Sequence, residues 1–296
     1  MHKMSQSHVD IKDDAIVKVK HMNHVIDVSH SSRRNSKVHT QKINSDEYVD
    51  ISTGEIKEYA HTDNRGQNYN SLRKTFNRLR DLINNNFVGD PNELHITLTY
   101  KENQTDTTRL YNDFQRMIDK LRYKYKGITT IDYLNVIEPQ KRGAWHCHLL
   151  LRFNDVSNIY VSNSDVASMW GKGYVRVQAL KNIDNIGAYL SAYLTDVELT
   201  EETYVDCVGD HTEIIDKQVS GEDKKYIKGG RLAMYPPGLN IYRKSKGISP
   251  PVVEEMTYKK AKEKAGAGTP TYQKSITLND DDFSVTHQYV QFNTRR

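Results

Sequence analysis

Cysteine is nearly absent: the 296 residues hold two, Cys147 and Cys207. One bridge between them is possible, but two cysteines exclude the disulfide framework of a small secreted scaffold. No apolar run approaches the roughly 18 residues a membrane helix needs. The opening MHKMSQSHVD has no apolar stretch of a secretory signal. No G-x-x-x-x-G-K-[ST] loop occurs, so helicase activity of the P-loop kind is not expected. Apolar residues make up 36% and charged residues 27%, with a net charge of +4. That balance is wetter than an average globular chain and leaves part of it exposed or loosely ordered. The mild basic excess permits nucleic-acid binding without arguing for it. A soluble, cytoplasmic protein is the expectation.

Residues 1–65 are polar, with few large apolar side chains in succession. His2, His8, His21, His24, His30 and His39 lie here without the spacing of a zinc finger, so a weakly ordered arm is expected. SLRKTFNRLRDLINNNF follows, with Leu72, Phe76, Leu79 and Ile83 at helical spacing and Arg73, Lys74, Arg78 and Arg80 on other faces. After Gly89-Asp90-Pro91 the pattern is regular. Strands are expected at 94–100, 128–138, 144–153 and 174–180, and helices at 107–125, 162–170 and 182–194. The order is β-α-β-β-α-β and then α, which predicts an α+β domain with a ferredoxin-like antiparallel sheet. It occupies residues 66–250, with a core at 94–196. Residues 251–296, with KEKAGAGTP and NDDD, read as a flexible tail.

The chemistry centres on GAWHCHLLL, residues 143–151. A strand turns alternate side chains to opposite faces, so His146 and His148 share one face while Cys147 and Leu149 take the other. Pro139-Gln140-Lys141-Arg142-Gly143 carries turn signals. If it closes a hairpin, Glu138 comes opposite the entry of His146, with Cβ atoms about 5 Å apart. Two imidazoles and a carboxylate suit a divalent ion, Mg²⁺ or Mn²⁺ being plausible with added water ligands; redox metals remain open. Tyr189 and Tyr193 stand four apart on the last helix, on one face. An i, i+4 aromatic pair often just packs. Beside a divalent ion, however, a tyrosine can attack a phosphodiester and become joined to it.

These residues resemble the HUH endonucleases, and among them the rolling-circle replication initiators of bacterial plasmids and single-stranded DNA phages, of the ORF2/gene II protein kind. ITLTY (96–100), HCH (146–148) and YLSAY (189–193) match the three family motifs in order, and RLAMYPPGLNIYRKSKGI (231–248) is similar to the C-terminal part of such domains. The resemblance covers roughly residues 70–250. It implies an enzyme that nicks one DNA strand at an origin, leaving a tyrosine on the 5′-phosphate and a free 3′-hydroxyl, and later rejoins the strand. His146, His148 and Glu138 would hold the metal, Tyr189 would attack first, and Tyr193 would act in the second transfer. Origin DNA, a host helicase and a host polymerase are the implied partners, in a bacterial cytoplasm and with no membrane. The family often carries a lysine near the tyrosines. Here those positions hold Ala192 and Asp196, leaving Lys172, Lys181 or Arg176 as candidates for that charge. Lys141, Arg142, Arg73, Arg78, Arg243 and Lys244 are candidates for DNA contact, with Tyr242 able to stack on a base.

Other readings keep part of this pattern. A conjugative relaxase or single-strand transposase would share the chemistry, but the former commonly clusters three histidines and the latter is generally shorter. A ferredoxin-like DNA-binding module would make both the H-x-H and the Y-x-x-x-Y coincidences. A metal-dependent oxygenase fits the ligand trio but not the element order.

Overall fold

The structure is a computed structural model. It describes residues 9–33, 39–59, 69–140, 142–180, 185–187, 190, 197–198, 214–219, 222–227, 231, 234–236, 238–266, 268–280 and 283–295. The chain divides into two compact units, one of residues 1–63 with 252–296 and one of residues 64–251.

The first unit begins with β1 (Ile16–Met22) and β2 (Val25–Ser31), followed by the short strands β3 (Thr40–Lys42), β4 (Glu47–Asp50) and β5 (Ile56–Glu58), which form a sheet of their own. The second unit opens with α1 (Tyr69–Asn86) and continues through β6 (Glu93–Thr99), α2 (Thr107–Lys124), β7 (Ile131–Pro139), β8 (Trp145–Phe153), α3 (Asn163–Trp170) and β9 (Val175–Ala179). β10 (Val197–Glu198), β11 (Ile214–Val219) and β12 (Glu222–Ile227) make a small sheet, and β13 (Tyr242–Lys244) ends this unit. The chain then returns to the first unit with β14 (Val253–Thr257), α4 (Tyr258–Lys264), β15 (Tyr272–Asp280) and β16 (Phe283–Asn293).

The class is α+β, with antiparallel sheets. The central sheet of the second unit has the order β13-β7-β8-β6-β9. Every pairing in it is antiparallel. β6, β7, β8 and β9 thus pair in the order β7-β8-β6-β9, with β13 added beside β7. α2 forms because Leu110, Phe114, Met117, Ile118 and Leu121 make one buried stripe, and because Asp106 caps it, accepting from the Thr108 N–H at 2.8 Å. α3 starts from a similar cap at Ser162. These helices cover the sheet face that carries Leu98, Cys147, Leu149 and Leu151. Tyr100 meets Trp170 edge-on at 5.0 Å, Phe114 meets Tyr133 at 5.4 Å and Tyr125 meets Phe153 at 5.1 Å. α1 lies on the opposite face, where Arg152 donates to the Asn86 carbonyl at 2.9 Å and Arg78 hydrogen-bonds Tyr242.

The ends of the chain depart from the sequence reading. An ordered sheet, β14-β1-β2-β16-β15, stands where a loose arm and a flexible tail are expected. β16 runs between β2 and β15, pairing Val290 with Val28 and Phe292 with Ile26. Val17, Val19, Ile26, Val28, Val290 and Phe292 bury one face together with Ala261 and Ala265 of the α4 region. Each end alone carries too few apolar residues for a core, and only their pairing supplies one. Hydrogen exchange tests this correction: the amides of residues 285–292 should be protected as strongly as those of β2, whereas a tail would exchange at the free-chain rate.

Candidate functional site

The link between β7 and β8 is a tight turn. The Gln140 N–H donates to the Ala144 carbonyl and the Gly143 N–H to the Gln140 carbonyl, both at 2.8 Å. Gly143 sits at φ 84°, a left-handed conformation that glycine adopts without steric cost. The turn fixes the register that pairs Glu138 with His146, Val136 with His148 and Pro139 with Trp145. On the other side, β6 brings Thr99 opposite His146 and Thr97 opposite His148. The histidines therefore sit in the middle of the sheet, on the face away from α2 and α3.

The Glu138, His146 and His148 side chains offer ligand atoms that all lie within 4.8 Å of one another, and they form the one such group among the described residues. His148 Nε2 is 2.5 Å from Glu138 Oε2. The other carboxylate oxygen is ion-paired with Arg231. Glu138 and His148 are buried. His146 Nε2 is buried too and has no hydrogen-bond partner, and an imidazole nitrogen left in that state is costly unless something occupies its lone pair. A divalent cation meets that need, so the donor set fits one.

A fourth side chain completes the arrangement. His95 Nε2 lies 3.4 Å from His148 Nδ1, with the two rings stacked at 5.6 Å and 22°. A ligating imidazole must present one nitrogen to the ion and carry its proton on the other, and an acceptor beside that second nitrogen fixes the tautomer. His95 escapes a reading of motifs because the contact is made across strands. Its one sequence signal is alternation: His95 is two residues before Thr97 and so shares the face of His148.

Burial is the largest influence on these groups. It pushes His95 down to about 3, helped by the charges of His148 and Arg176. It pushes His146 down to about 4, where Glu138 works against it and His148, Arg142 and Arg231 with it. Burial pushes the Glu138 carboxyl up, but the hydrogen bond to His148 and the charges of His148, Arg231 and His146 outweigh it and hold the group below its ordinary value. The site thus joins an ionised carboxylate to two imidazoles, those of His95 and His146, that burial keeps neutral across the physiological range. Cys147, between the two histidines in sequence, is fully buried on the helix face, where burial pushes its thiol up to about 12. It takes no part in the site.

The remaining expected residues divide. Tyr189, Tyr193, Lys141 and Lys181 lie outside the described residues, as does the side chain of Arg73. Gly187 is anchored to α1, its N–H donating to Asn84 Oδ1 at 2.8 Å. Ile186 and Leu190 are buried on either side of it. Since α1 covers the histidine face, Gly187 is attached on that side of the sheet. Arg142 reaches back to the carbonyls of Tyr100 at 2.7 Å and Lys101 at 3.4 Å. Arg243 faces the other way, its guanidinium 3.3 Å from the centre of the Tyr111 ring. Lys244 donates to the Ile248 carbonyl at 2.6 Å. Lys172 is 3.6 Å from the buried Asp113. Arg176 stands opposite Thr97 on the histidine face.

With this geometry in hand, residues 93–198 match the family model for the replication-associated protein described as ORF2 or gene II protein. The match supports a Rep-type replication initiator. It spans the strands that carry Glu138, His146 and His148. No curated protein and no solved structure matches the chain. No described helix is long and apolar enough to cross a membrane.

Two outcomes are expected. Titration with Mn²⁺, followed by its electron spin resonance signal, should reveal one site that is lost in His146→Ala and in Glu138→Ala. Because burial pushes the imidazole of His146 down to about 4, protonation of that ligand should not limit binding at about pH 5, where an ordinary histidine is mostly protonated. In Gly187→Ala the new Cβ would meet the Arg80 carbonyl oxygen and Asn84 Oδ1, both at 2.7 Å. That contact should push Gly187 off α1 and lower the melting temperature by several degrees, as expected of about 1 kcal/mol or more.

Proposed function

We propose that this protein initiates rolling-circle replication by nicking one DNA strand at an origin, with a tyrosine as nucleophile and a divalent cation bound by Glu138, His146 and His148. The observation that carries the reading is the convergence of those three side chains, with His146 Nε2 orphaned, within a segment that matches a replication-associated family. The β-α-β-β-α-β order of the central sheet supports the HUH type of ferredoxin-like fold.

When bound, the cation supplies Lewis-acid charge to the non-bridging oxygens of the scissile phosphate, where negative charge grows in the transition state. Glu138 and His148 would present an oxygen and Nε2 side by side to the cation, and His95 would accept the proton on the outer nitrogen of His148. The Tyr189 hydroxyl gives up its proton and its oxygen forms the new bond to phosphorus. The bond from phosphorus to the 3′-oxygen breaks, and that oxygen takes up a proton to become the free 3′-hydroxyl. One phosphodiester replaces another, so a free hydroxyl can later reverse the step, with Tyr193 serving the second transfer. The 3′-hydroxyl primes a host polymerase, and a host helicase opens the duplex.

Incubating origin-bearing supercoiled plasmid with Mn²⁺ or with EDTA should give a nicked product and a covalent protein–DNA adduct with the metal alone. Tyr189→Phe should abolish the adduct, and Tyr193→Phe should spare the first cleavage. Loss only in Tyr193→Phe would reverse the two roles. Absence of any adduct from folded wild-type protein on its own origin would leave a DNA-binding module in place of an enzyme.

A further inference from the structure

Neither Ala192 nor Asp196 brings a cation to the site, yet a guanidinium already touches its carboxylate. Arg231 Nη1 is hydrogen-bonded and ion-paired to Glu138 Oε1 and donates to the Pro139 carbonyl at 3.2 Å. The segment that delivers it is clamped along the outer edge of β7. Tyr242, Arg243 and Lys244 pair with Val136, Asn135 and Leu134. The Ile137 N–H donates to the Ile241 carbonyl at 2.9 Å, and the buried Tyr235 hydroxyl donates to the Ile137 carbonyl at 3.2 Å. Tyr235 also packs against Phe76 and Trp145, each at 6.4 Å between ring centres. Tyr235, four residues on from Arg231, is thereby fixed beside β7, and the arginine side chain keeps 18% exposure against 4% for the glutamate. The guanidinium sits at the rim of the group, between a buried carboxylate and solvent.

We infer that Arg231 is the phosphate-binding cation of this site, contacting a non-bridging oxygen of the scissile phosphodiester while the divalent ion occupies Glu138, His146 and His148. The inference rests on the nickase reading and names the residue that supplies its second positive charge. A phosphodiester in transfer gathers negative charge on its equatorial oxygens, and a planar fork of N–H donors matches them. The alternative is that Arg231 only neutralises Glu138. The two roles differ in sign. A guanidinium beside the ion repels it, so a phosphate-binding Arg231 weakens metal binding while strengthening catalysis. A merely structural Arg231 supports both, because losing it would leave the Glu138 carboxylate misplaced.

The test uses the full chain as wild type, Arg231→Gln and Arg231→Met, with Arg116→Gln on exposed α2 as a control. Two quantities are read: affinity for Mn²⁺ alone, and the single-turnover rate of adduct formation on the protein's own origin strand at saturating Mn²⁺. The expected result is Mn²⁺ affinity equal to or above wild type in both variants, with adduct formation slowed about 10²–10³-fold, the loss typical of one missing transition-state donor. Arg116→Gln should change neither. The methionine variant keeps the stem and its packing, so it serves if the glutamine variant does not fold. Weaker Mn²⁺ binding in both variants, or an unchanged rate, would overturn the inference and leave the nickase reading standing. A wild-type protein that forms no metal-dependent adduct would instead remove the nickase reading, and this inference with it.

Discussion

Glu138 stands opposite His146 because the turn at Gln140–Ala144 closes β7 and β8 in one register, and everything at the site depends on that pairing. Strand side chains alternate, so a slip of one residue would exchange the two faces. His146 and His148 would then point into the layer packed on α2, and Cys147 and Leu149 would point at α1. Leu149 and Leu151 on the helix face and Leu150 on the α1 face are all buried, so a slipped strand would have to repack every one of them in a layer shaped for other side chains. A core made for stability thus also aims the ligand atoms.

The sheet does different work on its two sides. The helix side is a packed layer of Leu98, Leu110, Phe114, Cys147 and Leu149. Buried Asn135 is also there, with its side chain beside the Cys147 thiol. The α1 side buries charge: Glu138, Glu93 and, at the sheet's far end, the partly buried Asp132. Each carboxylate is satisfied locally. Glu93 accepts from the N–H groups of Val88, Gly89 and Asp90, and Asp132 from Ser245, Arg152 and Asn154. Buried charge is tolerated where its hydrogen bonds are complete. At Glu138 the partners are His148 and Arg231.

The sequence was readable where the signal was local. Periodicity places α2 and α3 within a residue or two of their observed spans, since the Leu110-to-Leu121 stripe and the caps at Asp106 and Ser162 are contained in short windows. The H-x-H spacing and the turn chemistry before it likewise bring Glu138 beside His146. What stayed hidden depends on contacts between distant residues. His95 reaches His148 across 53 residues, and Arg231 reaches Glu138 across 93. Neither contact leaves a pattern in its own neighbourhood. The terminal sheet was hidden for the same reason: β1, β2 and β16 alternate weakly, and their apolar faces make a core only together. The tyrosine roles rest on spacing and resemblance alone.

The position of β16 between β2 and β15 also bears on how the protein is made. Thr286 donates its N–H to Ser32 across 254 residues of chain. At about 5–20 residues per second, a ribosome takes roughly 13–50 s to add that length. Throughout that time β1 and β2 lack the strand that completes their sheet, and before its end every strand of the central sheet has been made. The second unit therefore has the means to fold during synthesis. The first is finished after it, although β1 and β2 leave the ribosome before the strands of the central sheet.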